Sequence, residues 1–399
     1  MTSKKEIKVP KKDIILNLPG FTLKKVCSYS PLVLEVAYRR VVRCPVCGNR
    51  KLRKKASFMR QVRHETIGLR QTVLRFKSYK FYCKPCQRYF HQRFPGILPY
   101  QRATEKLREE IFHYHTHGVC QKDLAEQFKL GKATVERWYH RGYHRLNQHL
   151  KQRSCPRVLG IDEHFFSHKQ GYATTLCDLH RHKVFDVVQG RDEKSLSGYL
   201  QALQGKEGVR VVCMDLSSSY RRLIKKYFPN AKIVADRFHV IRLINQMSLQ
   251  TYHALDPGIK YQRGILAALR TKPKNLTPKR LIKRNAYLER QPAIAAIYHF
   301  KQRLHQLLMN KHRKAKQCRR LLPLFLHWIE QLKQSPFKPL ATLGKTFYQW
   351  REEIVRMWRF TKNNGITEGF HRKMKLIQRR AYGFRNFENY RLRVRVLCS

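Results

Sequence analysis

Val209-Arg-Val-Val-Cys-Met-Asp215, then Tyr220-Arg-Arg-Leu-Ile-Lys-Lys-Tyr-Phe228, then Ala231-Lys-Ile-Val-Ala235 read as strand, helix and strand in immediate succession. The outer runs are short and rich in Val and Ile, while the middle run carries apolar residues at helical spacing. Two strands joined through a helix lie parallel with a right-handed crossover. Upstream, residues 157–162, 171–178 and 183–189 read as three further short strands, with His180-Arg-His182 as a polar turn. A meander followed by parallel strands makes a mixed sheet, so the fold class is α/β. Asp162 and Asp215 each close an apolar run; if those strands are neighbours, both carboxylates meet at one edge of the sheet.

Carboxylates are scarce here, with 26 Asp and Glu against 84 Lys and Arg. A third well-placed acid, Glu368, follows the turn-like Asn363-Asn-Gly365. Thr367 is an expected N-cap for a helix running to about Ala381, with Phe370, Met374, Ile377 and Ala381 on its core face. Glu368 then shares the opposite face with Arg372, Lys375 and Arg379. Taken alone, Glu368 reads as a helix-start acid favoured by the macrodipole and by an i, i+4 pair with Arg372. Beside two strand-end aspartates in a basic field, the same position suits a ligand for a divalent metal, with phosphates laid along the helix. The stretch from about 241 to 360 shows helical spacing, notably at 321–332 and 347–358, with breaks at Pro273, Pro278 and Pro292.

The net charge of +58 bounds the partner. Such a field repels itself unless a polyanion screens it. No uninterrupted apolar run reaches the roughly 18 residues of a membrane span, and the hydrophilic start carries no signal-peptide pattern. The expectation is a cytoplasmic protein, off the membrane, that binds nucleic acid with a steep salt dependence.

A length of 399 residues allows several folding units. Of eleven cysteines, Cys27, Cys120, Cys155, Cys177, Cys213, Cys318 and Cys398 are scattered and read as small core residues. Cys44-Pro-Val-Cys47 and Cys83-Lys-Pro-Cys86 instead form two knuckles around alternating stretches, 71–76 and 79–82, which read as a hairpin or small sheet. Four thiolates in that pattern hold one tetrahedral, structural Zn²⁺. Residues 105–149 then read as helices, with a turn at Leu130-Gly131 and a second helix from Lys132, the pattern of a helix-turn-helix. Val119, Leu124, Ala125, Phe128, Leu130, Val135 and Trp138 would pack it, leaving Lys132, Thr134, Glu136, Arg137 and Arg141 for DNA.

Gly160-Ile-Asp-Glu163, Met214-Asp-Leu-Ser217, Ala235-Asp-Arg-Phe-His-Val240, Asn364-Gly-Ile-Thr-Glu-Gly369 and Arg379-Arg-Ala-Tyr-Gly-Phe-Arg-Asn-Phe-Glu388 together resemble the ISL3 family of bacterial insertion-sequence transposases. The resemblance covers nearly the whole chain, and its most specific part is the C-terminal arginine-rich run. It implies an RNase H-like, DDE-type catalytic core split by an all-helical insertion. The implied divisions are a zinc-binding domain at 1–100, the helix-turn-helix at 101–152, the core at 153–240 and 361–399, and the insertion at 241–360.

By position, Asp162, Asp215 and Glu368 would be the catalytic triad, holding two Mg²⁺ or Mn²⁺ ions. Asp236 and His239 match an Asp-x-x-His motif of related groups that supports the active site; local capping hydrogen bonds explain the pair equally well. Lys373, Lys375, Arg372, Arg379 and Arg380 would meet the DNA backbone. The implied partners are the element's terminal inverted repeats and target DNA, with at least two protein copies where two ends are joined. Two other classes use parts of the same pattern: a zinc-finger and helix-turn-helix regulator, and an RNase H-like nuclease without strand transfer.

Overall fold

The computed structural model describes residues 16–151, 153–311, 314–360 and 365–399. Two compact units result, Met1–Leu146 with Arg380–Gly383, and Asn147–Arg379 with Phe384–Ser399. The turn expected at Asn363-Asn364 lies outside the described residues.

The first unit opens with five strands, β1 (Phe21–Tyr29), β2 (Leu32–Tyr38), β3 (Arg53–Ile67), β4 (Arg70–Cys83) and β5 (Arg88–His91). Their order is β1-β2-β4-β3, with β5 also paired to β4. The hairpin expected between the knuckles is β3 and β4, and the two alternating stretches fuse into β4. Gly68 and Leu69 both take positive φ, 57° and 64°, as a two-residue turn between twisted antiparallel strands requires. Phe21, Val36, Leu74, Phe76 and Phe94 fill one face.

Three helices follow, α1 (Glu105–Thr116), α2 (Gln121–Gln127) and α3 (Lys132–Lys151). The expected start at Lys132 holds, but Lys129, at φ 47°, turns the chain in place of Leu130-Gly131. Leu124, Ala125, Phe128 and Val135 are buried as expected, whereas Val119, Leu130 and Trp138 are only half-buried. Tyr139 and Tyr143 complete that core; the first stacks on His115 at 4.0 Å and the second bonds its Nδ1 at 3.0 Å. Arg63 of β3 ties the turn to the sheet by donating to the Lys129 carbonyl at 3.0 Å.

The second unit is built on β6 (Val158–Ser167), β7 (Gly171–Asp178), β8 (Lys183–Gln189), β9 (Val211–Met214) and β10 (Lys232–Ala235), in the order β10-β9-β6-β7-β8. β6, β7 and β8 form the antiparallel meander, and β9 and β10 run parallel to β6. Helices α4 (Glu193–Ala202) and α5 (Ser218–Tyr227) connect these strands. The unit is therefore the expected mixed α/β sheet, with the strands bearing Asp162 and Asp215 adjacent.

Between β10 and the last two helices, every element among the described residues is helical. The α-helices are α6 (Arg237–Leu255), α7 (Arg263–Arg270), α8 (Pro278–Arg290), α9 (Pro292–Leu308), α10 (Ala315–Lys333), α11 (Lys338–Gln349) and α12 (Arg351–Arg359). Pro278 and Pro292 begin α8 and α9, where a missing N–H costs nothing. The helix expected over 347–358 is broken at Trp350, which ends α11 and starts α12. Leu304, Phe325, Phe347 and Trp358 share one core with Leu159, Ile161 and Val212 of the sheet, while α6 to α9 enclose a second cluster around Tyr252, Ile265 and Tyr298.

The opposite face of the sheet is covered by α13 (Gly365–Arg380) and α14 (Phe387–Leu397), through Met374, Ile377, Tyr390 and Val394 against Phe166, Cys177 and Cys213. Asp186 of β8, 6 % exposed at its side chain, fixes α14 by accepting from Arg391 Nε at 2.8 Å and Nη2 at 2.7 Å. Of the scattered cysteines, Cys155, Cys177, Cys213, Cys318 and Cys398 are buried as expected. Cys27 is exposed on β1 and Cys120 is half-buried at the N-cap position of α2, so these two are not core residues.

Candidate functional site

The carboxylates gather where the parallel strands stop. β6 pairs with β9 only from Val158 to Gly160, opposite Val211 to Cys213, and β9 ends at Met214. Asp215 is the next residue. Asp162 is not at a strand end, as expected from its apolar run, because β6 continues to Ser167 on β7 alone. It lies just past the last residue paired with β9, so the site forms at the end of the pairing and not of the strand. Parallel register sets Ala235 beside Met214, and the Asp236 amide donates to the Met214 carbonyl at 2.6 Å. Asp236 therefore follows β10 next to Asp215.

Burial raises the Asp162 carboxyl to about pH 6, helped by the neighbouring Asp215 and Asp236 charges; His239 and the Glu163 amide, which donates to Oδ1 at 2.8 Å, oppose the shift. Burial likewise raises Asp215, against His239 and reinforced by Glu163 and Asp236. Asp215 Oδ1 is fully buried without a hydrogen-bond partner. A buried, unsatisfied carboxylate oxygen costs free energy unless something positive meets it.

This burial has a consequence for folding. The folded pKa of Asp162 lies above its unfolded value of 3.8, so its contribution is fully present below pH 4 and is lost as pH rises through 6. Asp162→Asn, which keeps the acceptor for the Glu163 amide, is expected to stabilise magnesium-free, zinc-loaded protein at pH 7.5 by up to about 3 kcal/mol. The gain vanishes near pH 4. Thermal denaturation at both pH values checks this; a destabilised variant at pH 7.5 contradicts it.

Asp236 both caps α6, accepting from the Phe238 amide at 3.4 Å, and lies 3.7 Å from His239 Nε2. The local capping explanation of this pair is therefore present, and His239 in addition acts electrostatically on Asp162 and Asp215.

Glu368 is exposed in the first turn of α13, where its Oε1 accepts from Arg372 Nη2 at 3.1 Å. Thr367 is not the N-cap: the helix already includes Gly365, and Thr367 is buried, bonding the Cys177 thiol. Arg372, Lys375, Arg379 and Arg380 are exposed as expected; Ala381 falls in the turn beyond the helix, and Lys373 donates to the Leu397 carbonyl. Among the described residues, the ligand atoms of Asp162, Asp215 and Glu368 do not all fall within 4.8 Å of one another. Like charges spread apart, and the i, i+4 pair with Arg372 holds Glu368 outward.

His371, one turn after Glu368, is the link between α13 and the aspartates. Its Nδ1 lies 3.9 Å from Asp162 Oδ2 and its Nε2 bonds Thr175 Oγ1 at 3.1 Å. Thr175 continues to His164 Nδ1 at 3.0 Å, and His164 Nε2 to Tyr390 OH at 2.8 Å. Burial, with Lys375 nearby, holds His371 at about 4 against the pull of Glu368, and burial with His371 holds His164 at about 3. Both rings are neutral at physiological pH. Sequence reasoning missed this chain; the available signal was two histidines, each two or three residues beyond an acid and on its strand face or helix turn.

In the first unit, Cys44, Cys47, Cys83 and Cys86 have all four sulfurs within 4.8 Å. The Cys44–Cys86 and Cys47–Cys83 separations are 3.8 and 3.6 Å. A tetrahedral ion with Zn–S bonds of about 2.3 Å needs sulfurs about 3.8 Å apart, so the cluster supports a structural zinc. The Cys47 amide, with that of Val46, holds the Cys44 thiol down at about 6, while the Cys47 thiol and burial push Cys86 up to about 12. Gly48, at φ 73°, closes the first knuckle with its amide on the Cys44 carbonyl at 3.0 Å. On α3, Lys132, Arg137 and Arg141 are exposed and Thr134 is half-buried.

Comparison with known proteins finds matches for three segments of the chain. Residues 159–394 match the family model of the ISL3 transposase, residues 40–86 a zinc finger of the IS204, IS1001, IS1096 and IS1165 transposases, and residues 92–143 the helix-turn-helix domain of the ISL3 transposase family. The chain is 24 % identical over 372 residues to the transposase for insertion sequence element IS1001 of Bordetella parapertussis, covering 89 % of this chain and 88 % of that one. It is 22 % identical over 260 residues to the transposase for IS1557 of Mycobacterium tuberculosis, covering 58 % and 57 %. No helix among the described residues is long and apolar enough to cross a membrane.

Proposed function

The chain belongs to the ISL3 family of transposases, and on that premise we propose that it is a DDE transposase that cuts the ends of an insertion sequence and joins them to target DNA. The observation that carries this reading is the juxtaposition of Asp162, Asp215 and Asp236 where β6, β9 and β10 cease to pair, with the Glu368 helix packed on the same sheet. The strand order β10-β9-β6-β7-β8 supports an RNase H-like core, with the helical stretch between β10 and α13 as an insertion.

Asp162, Asp215 and Glu368 would hold two divalent cations, Mg²⁺ or Mn²⁺. The donor set fits: carboxylate oxygens suit hard cations, and the unpartnered Asp215 Oδ1 is the kind of atom such an ion satisfies. Bound there, the ions supply Lewis acidity at the attacking and leaving oxygens of a phosphodiester. Asp162 and Asp215 provide fixed positions from the sheet, and Glu368 completes the set by turning away from Arg372. His371 orients Asp162 from the side of α13, and Asp236 with His239 lies beside the two aspartates. Arg372, Lys375, Arg379 and Arg380 neutralise phosphates along the exposed face of α13.

DNA recognition falls to the first unit, with Lys132, Thr134, Arg137 and Arg141 of α3 toward the groove and the zinc knuckles holding the adjacent sheet. Two copies act together when two ends are synapsed, in the cytoplasm where the DNA lies. Purified protein with Mg²⁺ and a duplex carrying the terminal repeats is expected to nick at the repeat boundary and join the freed strand to a second duplex. Nicks without joining would leave a nuclease, and binding without nicks a regulator.

A further inference from the structure

In the first unit, between β3, β5 and the segment through Tyr100, lies a groove of about 630 Å³, within the size range of small-molecule sites. Its floor is a continuation of the core face of the sheet. Register pairs Val62 with Leu74, Arg60 with Phe76 and Phe58 with Ser78, so these residues alternate onto one face, and β5 adds Tyr89 and His91 opposite Tyr82 and Lys80. Val62, Leu74 and Phe76 are covered by core, but farther along the same face Phe58 and Tyr89 are about half exposed, 45 % and 57 %. The opposite wall is the segment through Tyr100, held beside β3 because the Arg63 amide donates to the Arg102 carbonyl and the Thr104 amide to the Arg63 carbonyl, both at 2.9 Å. Tyr100 is 91 % exposed on a left-handed backbone, φ 58°, an unfavourable posture for a bulky residue.

Three further features say what the groove takes. Arg60, Arg93 and Arg102 line it and no acid does, which selects a polyanion. Tyr89 packs 4.8 Å from Tyr82 with Lys80 over its ring, and Phe58 lies 5.9 Å from His91, yet both keep exposed surface and Tyr100 is almost wholly exposed, which selects planar rings, not an aliphatic chain. Gln92, on the lining and only 8 % exposed, has a buried carboxamide oxygen without a hydrogen-bond partner, which calls for an N–H donor such as a base amino group. A duplex hides its bases from such a site. Unpaired nucleotides present ring, amino edge and phosphate together, as in stacking platforms for single strands.

We propose that this groove binds unpaired nucleotides of the DNA, so that the zinc-bearing unit holds a locally opened strand in addition to reading duplex. The inference rests on DNA as the partner and is independent of which carboxylates are catalytic.

The test uses the full-length, zinc-loaded protein and fluorescence anisotropy, at a salt concentration that suppresses non-specific binding. Three labelled duplexes, each carrying the terminal-repeat sequence, are compared: fully paired, carrying a short internal tract of unpaired cytosines, and carrying an abasic tract of the same length. Wild type should prefer the cytosine tract to both others. Tyr89→Ala and Tyr100→Ala remove exposed rings that support no core; each should lower that preference about tenfold while leaving paired-duplex affinity unchanged, and Tyr100→Phe should keep it. Equal affinity of wild type for the cytosine and abasic tracts, or an undiminished preference in both alanine variants, would overturn the groove assignment while leaving the transposase reading intact. Failure to bind any of the three duplexes would remove both.

Discussion

Asp162→Asn and Asp215→Asn are each expected to lower the rate of strand cleavage by about 10³-fold or more, with affinity for terminal-repeat DNA unchanged within a factor of a few. A bound cation contributes several kcal/mol to transition-state charge stabilisation, and each ~1.4 kcal/mol is a factor of ten in rate. Asparagine keeps the shape but not the charge, so the ions are held poorly while the fold survives. Asp215 follows the last paired residue of β9 and Asp162 lies just beyond the β6–β9 pairing, and neither belongs to the hydrophobic core of the first unit. Cleavage is read on a labelled duplex and affinity by gel shift without magnesium. A variant that cuts at wild-type rate removes its residue from the site; one that loses DNA binding in parallel shows that the aspartate supports the fold instead.

The second large effect concerns zinc. Cys44→Ser is expected to lose the metal and with it specific recognition of the terminal repeats, leaving the weak, salt-sensitive binding that any strongly basic surface has for DNA. A structural zinc contributes roughly 10 kcal/mol or more, comparable to the whole stability of a domain. Specific affinity should fall by about 10³-fold toward the non-specific level. The knuckles sit at the entrance to β3 and the exit of β4, so unravelling them frees the sheet to which Arg63 fastens the helix-turn-helix. Metal analysis should give one zinc per wild-type chain and none per variant; a variant that keeps both zinc and specific binding would remove the metal from the account.

How much of this was legible in the sequence differs from element to element. β7 and β8 stood out at their observed bounds because each is a short, mostly buried run between turn residues. The cysteine knuckles were legible because their spacing states the chemistry directly. Asp162 was expected at a strand end and lies instead just past the end of the β6–β9 pairing, since where parallel pairing stops is a property of two strands and one run does not carry it. The break at Trp350 was hidden because apolar spacing continues across it, and only packing of α11 against α10 and of α12 against β10 separates the two helices. β1 and β2 were missed because lysines interrupt β1, whose outer face is exposed. His371 and His164 were invisible for a related reason: each is one histidine among nineteen, and their link through Thr175 joins residues nearly two hundred positions apart.

Glu368 carries the most weight in the catalytic reading, because it stands apart from the aspartates and is bonded to Arg372. The direct measurement is magnesium-dependent cleavage of a terminal-repeat duplex by Glu368→Gln beside wild type, at equal DNA occupancy. The account predicts full occupancy and no product above background. Cleavage at the wild-type rate would contradict it and return Glu368 to the role of an ordinary helix-start acid.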